Sequence, residues 1–419
     1  MAPHSAEQTM SGMPIAPIVT PVSTSIGLSR KWLTAILIAA ALSFAGKVVI
    51  ASRTYGSTDA LYWEANLREL RVAGPVALYE KGTVLHHAGG AFYAHEVFNH
   101  PPLMVHLLSL GGWISEKTRI PFRFWLRLTC ALADLSSAIL LLGILRDSSL
   151  PVSPVALFLV AASPISLMVS GFHGNTDPIM MALLVLTVYL TQRGPSSLAG
   201  AVLGLAAGIK IVPLLFAPAL ALSLPGKKRA VFVAGAIGMF FVESLPLVIE
   251  HPGLIWSHVF GYSPQTGVWG IPRLVTAFGT EAQARAFAYV ARGGLLLVLG
   301  AVSIWLHARR PHKPLVMQCG LLALLLLSLA PGFGVQYLAW LVPWACLLSW
   351  KQAVAFHGSG GLFLAWFYTR AAHGFPWYLA NTATTQVWYG SLFFVGLLCW
   401  LVISCLTISL FRRVAKNES

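Results

Sequence analysis

The chain has 419 residues, 57% hydrophobic and only 10% charged, with a mean hydropathy of +0.73. Soluble domains carry about 25% charged residues, so this composition excludes an ordinary soluble globule and indicates an all-α polytopic membrane protein. The formal charge of +14 does not point to nucleic acid. The basic residues form no patch or arm but sit as Arg30-Lys31, Lys227-Lys228-Arg229, Arg309-Arg310 and Arg412-Arg413 between apolar runs, the distribution that orients a membrane protein.

Residues 1–29 are rich in Pro, Ser, Thr and Met with little charge and read as a disordered cytoplasmic tail. Arg30-Lys31 with the run 32–50 has the form of a signal peptide, but the run is long and many more follow, so an uncleaved signal anchor is expected. Residues 51–122 are then one long polar excursion. It opens with Gly56-Ser57-Thr58-Asp59-Ala60-Leu61-Tyr62-Trp63 and contains Phe98-Asn99-His100-Pro101-Pro102-Leu103 near its end. Further apolar runs predict helices at 123–145, 152–171, 178–192, 197–209, 211–223, 229–249, 286–307, 314–330, 335–350, 352–370 and 387–411.

With the tail in the cytoplasm and 51–122 outside, Arg146, Arg193, 227–229, 309–313, Lys351 and 412–416 all fall on the cytoplasmic side. That agreement predicts about twelve spans over 30–411, both termini inside, and a second long outer loop at 250–285. Residues 412–419 form a short cytoplasmic tail. The segment 101–115 begins with two prolines and contains Gly111-Gly112; it reads as an interfacial helix, since a crossing there would reverse every later basic loop. Residues 197–223, interrupted by Pro213 and Pro218, read as two short helices meeting near 210–213.

The outer face collects the groups with chemical potential. Asp59 follows the first span; a carboxylate there serves as a general base on an acceptor hydroxyl or, with Ser57 and Thr58, as a helix N-cap before 60–72. His173-Gly174-Asn175-Thr176-Asp177-Pro178 packs four hydrogen-bonding side chains into one turn. Asp177 ahead of Pro178 fits a helix start, which leaves His173 and Asn175 for a site. Lys210 lies in an apolar run, where a lysine costs ~2.5–3.5 kcal/mol near the bilayer centre and usually serves a function; snorkelling to the interface is the alternative. Arg123, Arg127 and Asp134 share one helix face, for a site or for an ion pair to another helix, and Glu243 is ambiguous in the same way. His86, His87, His95, His100 and His106 show no zinc spacing, and the five cysteines (Cys130, Cys319, Cys346, Cys399, Cys405) lie in or beside apolar runs as packing residues.

These residues, in this order, resemble the GT-C superfamily of polytopic glycosyltransferases, nearest to bacterial mannosyltransferase-like members. The likeness rests on Thr58-Asp59 with Tyr62, on Gly74-Pro75-Val76-Ala77-Leu78-Tyr79, and on Phe98-Asn99-His100-Pro101-Pro102-Leu103. It continues through Arg127-Leu128 with Asp134, the 173–178 turn, residues 204–213 (GLAAGIKIVP), and Gly334-Val335-Gln336-Tyr337 with Pro343. His100 stands where the family more often has tyrosine before Pro-Pro, and the last quarter of the chain adds no motif.

The resemblance implies inverting transfer of a hexose, mannose-like by preference, from a polyprenyl-phosphate donor to a glycolipid, polysaccharide or protein acceptor on the outer face of the plasma (inner) membrane. In that reading Asp59 is the catalytic base. Lys210, with Arg127 or Arg273, meets the donor phosphate, and His100, His173, Asn175, Asp177, Gln336 and Tyr337 bind donor or acceptor. No cofactor is expected; a divalent cation is compatible with the reaction but nothing indicates one. The rival readings are a secondary transporter, which would show matching broken helices in both halves, and a scaffold or flippase for lipid-linked sugars, in which Asp59 would be dispensable.

Overall fold

The computed structural model describes residues 28–86, 93–148, 150–261, 267–382 and 388–416. The expected disordered tail lies almost wholly outside the described residues, as do His87, parts of the 250–285 and 370–386 segments, and residues 417–419; so do the side chains of His86, His95 and Glu243.

Helices dominate. Helix α1 (Arg30–Arg53) starts at Ser29, whose hydroxyl accepts from Trp32 N–H, and ends where Thr54 turns extended. A two-residue strand β1 (Gly56–Ser57) leads into α2 (Thr58–Lys81), which breaks at Gly74 (φ 82°) before Pro75. The hairpin β2 (Thr83–His86) and β3 (Tyr93–Glu96) follows, antiparallel with Thr83 opposite Glu96. Helix α3 (Leu103–Thr118) has 16 residues, too few for a straight span. It buries Met104, Val105 and Leu108 and leaves Leu110 and Trp113 more than half exposed, as an interfacial helix would.

The helices predicted from 123 onward are all present. They are α4 (Phe122–Ser148), α5 (Pro154–Ala161), α6 (Pro164–Ser166) continued by a π-helix (Leu167–His173), α7 (Asp177–Arg193) and α8 (Ser196–Ile209). A 3₁₀ turn (Val212–Phe216) and α9 (Ala217–Leu222) follow, so the run 197–223 does break at Lys210. Then come α10 (Gly226–Glu250), α11 (Pro252–Ile255), α12 (Gly270–Phe278), α13 (Glu281–Arg309) and α14 (Leu315–Ser328). Two 3₁₀ segments (Val335–Leu341, Pro343–Leu347), α15 (Trp350–Ala371), strand β4 (Leu379–Ala380) and α16 (Ser391–Ala415) complete the chain.

Among the described residues, five helices are long and apolar enough to cross a bilayer: Arg30–Arg53, Phe122–Arg146, Pro154–His173, Ala282–Arg309 and Ser391–Ala415. A sixth is formed if Gly226–Val242 and Ser244–Glu250, bent by 70°, count as one span. The other predicted runs are helical but shorter or less apolar. Small residues draw α8 and α10 together: a Cβ on Gly200 would lie 2.0 Å from the Phe232 carbonyl oxygen, and one on Gly204 2.5 Å from that of Ala236.

One ion pair inside the apolar bundle, with two serine hydroxyls, ties four elements together. Lys47 of α1, in the middle of an apolar run, places Nζ 2.7 Å from Asp134 Oδ2 on α4. The same oxygen accepts from the hydroxyls of Ser166 and Ser170, at 2.5 Å each, on α6 and the π-helix. The face shared by Arg123, Arg127 and Asp134 is therefore a structural one at Asp134. Asp134→Ala is expected to destabilise the protein by ~3–5 kcal/mol, because it strands a buried ammonium, whereas Lys47→Met with Asp134→Leu recovers most of that loss. Unfolding of the detergent-solubilised variants measures both.

Candidate active site

The site forms where α1 ends, α2 begins and the π-helix stops. Ser57 is the N-cap of α2: its hydroxyl accepts from Asp59 N–H at 3.1 Å and donates to the His173 carbonyl at 2.7 Å. The capping reading of Asp59 is thereby answered, since Ser57 caps the helix and the Asp59 carboxylate is left for other work. Asp59 Oδ2 receives Asn175 Nδ2 at 2.5 Å and faces His173 Nε2 at 3.2 Å. A carboxylate oxygen only accepts, so Nε2 carries a hydrogen. No hydrogen bond among the described residues goes to Oδ1, and the side chain is 27% exposed. Burial alone would raise the Asp59 pKa; the electrostatic attraction of His173, the hydrogen bonds from His173 and Asn175, and the Lys210 charge outweigh it and hold the carboxyl below its ordinary value.

Two glycines make this approach possible. Gly56 (φ +110°) passes so close to the π-helix that a Cβ would sit 2.8 Å from the Phe172 carbonyl oxygen. Gly174 (φ +84°) ends the π-helix in the left-handed region, which favours glycine, and packs on Ala60. The chain's other end closes over the same strand. β1 pairs in parallel with β4, Gly56 opposite Leu379, and the Thr58 and Thr382 hydroxyls bond at 2.5 Å.

Asn175 works in both directions, since its Oδ1 accepts from Asp177 N–H at 3.2 Å. The start of α7 is thus held by Asn175, and the Asp177 carboxylate turns away to meet Lys210 Nζ at 2.7 Å. The Lys210 ammonium also lies over the stacked rings of Tyr337 (5.0 Å) and Trp340 (5.6 Å). It does not snorkel to an interface: its side chain is 14% exposed. His100 directs Nδ1 at the Ile209 carbonyl, 3.2 Å away, one residue before Lys210. A carbonyl only accepts, so Nδ1 carries the hydrogen. Burial first, then the nearby Lys210 charge, push the His100 pKa down to about 3.

Two expected phosphate ligands lie elsewhere. Arg127 is fully buried and turned away from Asp59. Its guanidinium donates to the carbonyls of Ala51 (2.8 Å), Thr54 (2.8 Å), Arg123 (3.1 Å), Gly171 and Phe172 (3.5 Å each) and to the Thr54 hydroxyl (2.9 Å). These bonds account for its five N–H donors, so it is a structural residue here. Arg273 belongs to a second cluster, donating to Gly267 and Trp388 carbonyls (3.2 and 3.0 Å) over the rings of Tyr389 and Phe393. Gln336, half-buried, folds its amide back toward Gly334. The structure therefore gathers Asp59, His173, Asn175, Asp177, Lys210, Tyr337 and His100 into one constellation, and sets Arg127 behind it.

Sequence reasoning passed over Trp340, three residues after Tyr337 on the same turn, and Tyr368 of α15, whose ring centroid is 5.8 Å from that of His173. It also passed over Lys47, although a lysine within an apolar run is the same signal that singled out Lys210. Arg123 pairs with Glu64 at 3.1 Å and covers the Tyr55 ring at 4.3 Å; burial and the Glu64 hydrogen bond push the Tyr55 hydroxyl up to about 12. No group of three or more His, Cys, Asp and Glu capable of holding a metal gathers among the described residues.

A family model described as glycosyltransferase family 87 matches residues 98–331, more than half of the chain. The chain belongs to glycosyltransferase family 87. The matched region contains His100, Arg127, His173, Asn175, Asp177, Lys210 and Arg273, while Asp59 precedes it and Gln336 and Tyr337 follow it. Membership supports a membrane glycosyltransferase, consistent with the GT-C resemblance read from the sequence. A comparison with curated proteins found no match.

The buried neutral His100 makes a pH prediction. Its folded pKa lies below the value of about 6.5 in the unfolded chain, so the unfolded state binds the extra proton and stability falls as pH drops from 6.5 toward 3. His100→Asn, which keeps a donor for the Ile209 carbonyl, should lessen the slope of unfolding free energy between pH 6 and 4 by about 1.4 kcal/mol per pH unit. Denaturant titrations at several pH values measure that slope.

Proposed function

We propose that the protein is a GT-C-type glycosyltransferase that moves a hexose, mannose-like by preference, from a polyprenyl-phosphate donor to an extracytoplasmic glycolipid, polysaccharide or protein acceptor, with inversion at the anomeric carbon. The observation that carries the reading is the asymmetry of Asp59. One carboxylate oxygen is held by His173 and Asn175, and the other receives no hydrogen bond from the described residues on a side chain that is 27% exposed. A base kept ionised and aimed in this way is what single displacement on a hydroxyl requires.

In this reading the acceptor O–H gives its proton to Asp59 as its oxygen attacks the anomeric carbon. The bond from that carbon to the phosphate oxygen breaks, and polyprenyl phosphate leaves as an anion that needs no protonation. Lys210 has three N–H donors, and Asp177 Oδ1 occupies one. The others are available to the leaving phosphate, and the buried Asp177 fixes the ammonium in advance. Arg273, over Tyr389 and Phe393, is the candidate for a more distant part of the donor. The rings of Tyr337 and Trp340 lie against the Lys210 ammonium. The working topology keeps about twelve spans in the plasma membrane with both termini cytoplasmic, which favours a lipid-linked donor, since nucleotide sugars reside in the cytoplasm.

The test is transfer from a synthetic polyprenyl-phosphate mannose by the purified protein in lipid nanodiscs, with and without Asp59→Asn. The substitution is expected to lower turnover by ~10²–10⁴ while donor binding persists. Unchanged turnover would remove Asp59 from the mechanism, and solute uptake by proteoliposomes without transfer would favour a transporter.

A further inference from the structure

The bonds around Asp59 leave two buried polar atoms with nothing to bond. Because His173 donates from Nε2 to Asp59, a neutral ring presents a bare lone pair at Nδ1. That atom is buried and has no partner. The hydroxyl of Tyr368 is likewise fully buried and without a partner. The two rings face each other at 5.8 Å between centroids, inclined by 47°. Phe172 and Trp377 hold the tyrosine ring from the sides, at 5.2 and 5.5 Å. An unsatisfied buried donor or acceptor costs ~1–3 kcal/mol. One hydrogen bond from the tyrosine to the imidazole, direct or through a single ordered water, would satisfy both.

We propose that Tyr368 is a positioning residue for the catalytic base: its hydroxyl occupies His173 Nδ1, fixes the tautomer that carries hydrogen on Nε2, and so keeps Asp59 oriented and ionised. It touches neither substrate. Without it the opposite tautomer becomes accessible, and that tautomer turns a lone pair toward the Asp59 carboxylate. The inference rests on the reading of Asp59 as the base. The groups bearing on the Asp59 charge are His173, Asn175 and Lys210, with His100 and Tyr368 also within electrostatic reach and Asp177 bound to Lys210. Of these groups the test alters Tyr368 and His173, singly and together, and leaves the others in place.

The test follows kcat, KM and the pH profile of kcat/KM for sugar transfer in wild type, Tyr368→Phe, His173→Gln and the double variant. Glutamine at 173 donates from its amide nitrogen near the Nε2 position and has no tautomer to fix. Tyr368→Phe is expected to lower kcat about tenfold, the value of one hydrogen bond, to leave both KM values within about twofold, and to move the acid limb upward. In the His173→Gln background it should add no further loss. Equal losses in both backgrounds, or an unmoved acid limb, would overturn the proposal. A purely packing role predicts those results. Should the phenylalanine variant fail to fold, 3-fluorotyrosine at 368 keeps the shape, strengthens the donor and should move the acid limb downward; no movement would overturn the proposal. Activity retained in Asp59→Asn refutes the base itself, whereas an inactive Asp59→Asn beside an unaffected Tyr368→Phe refutes only the role of Tyr368.

Discussion

A guanidinium with no carboxylate partner holds the site together. Burying a charge ordinarily demands a counter-ion, yet Arg127 points its donors at carbonyls: Ala51 and Thr54 where α1 ends, Gly171 and Phe172 where the π-helix ends. The last carbonyls of a helix carry the negative end of its dipole and have no partner of their own. One buried cation therefore completes two helix ends together. Asp59 stands five residues beyond Thr54 and His173 one residue beyond Phe172, so the span between the Asp59 carboxylate and the His173 imidazole is set from beneath by this single side chain.

The molecule neutralises its buried cations in three physical ways. Lys47 has a carboxylate that two serine hydroxyls also bond. Lys210 has Asp177 on one side and two ring faces on the other. Arg127 has helix ends. With these settled, Asp59 is held by neutral-amide and imidazole donors on one oxygen alone, and its other oxygen is left without a hydrogen bond among the described residues. The same network that satisfies the fold thus creates the asymmetry that chemistry would use.

The sequence made the helices legible because apolar runs bounded by Pro, Gly and basic residues leave few choices, and the structure has helix in each predicted run. The turn 173–178, Lys210 and Asp59 were legible as polar groups with no reason to be in apolar surroundings. What was not legible was direction. The helix face shared by Arg127 and Asp134 read equally as part of a site or as an ion pair to another helix, and only packing shows Arg127 on helix ends and Asp134 paired with Lys47. Tyr368 carried no signal at all, since a tyrosine near a helix end is ordinary until a buried imidazole is found beside it. His100 read as a ligand, but its fixed Nδ1 hydrogen bond also makes it a brace for the end of α8.

The strap between β1 and β4 has a consequence for the order of events in biosynthesis. Thr58 and Thr382, bonded across the entrance, lie 324 residues apart, and a contact so distant in sequence forms late. The first helices emerge from the ribosome with Asp59 already synthesised, but the wall beside it arrives only with the residues between α15 and α16. A chain still being made, or one cut short before β4, therefore lacks the strand and the threonine contact that close over β1 beside Asp59.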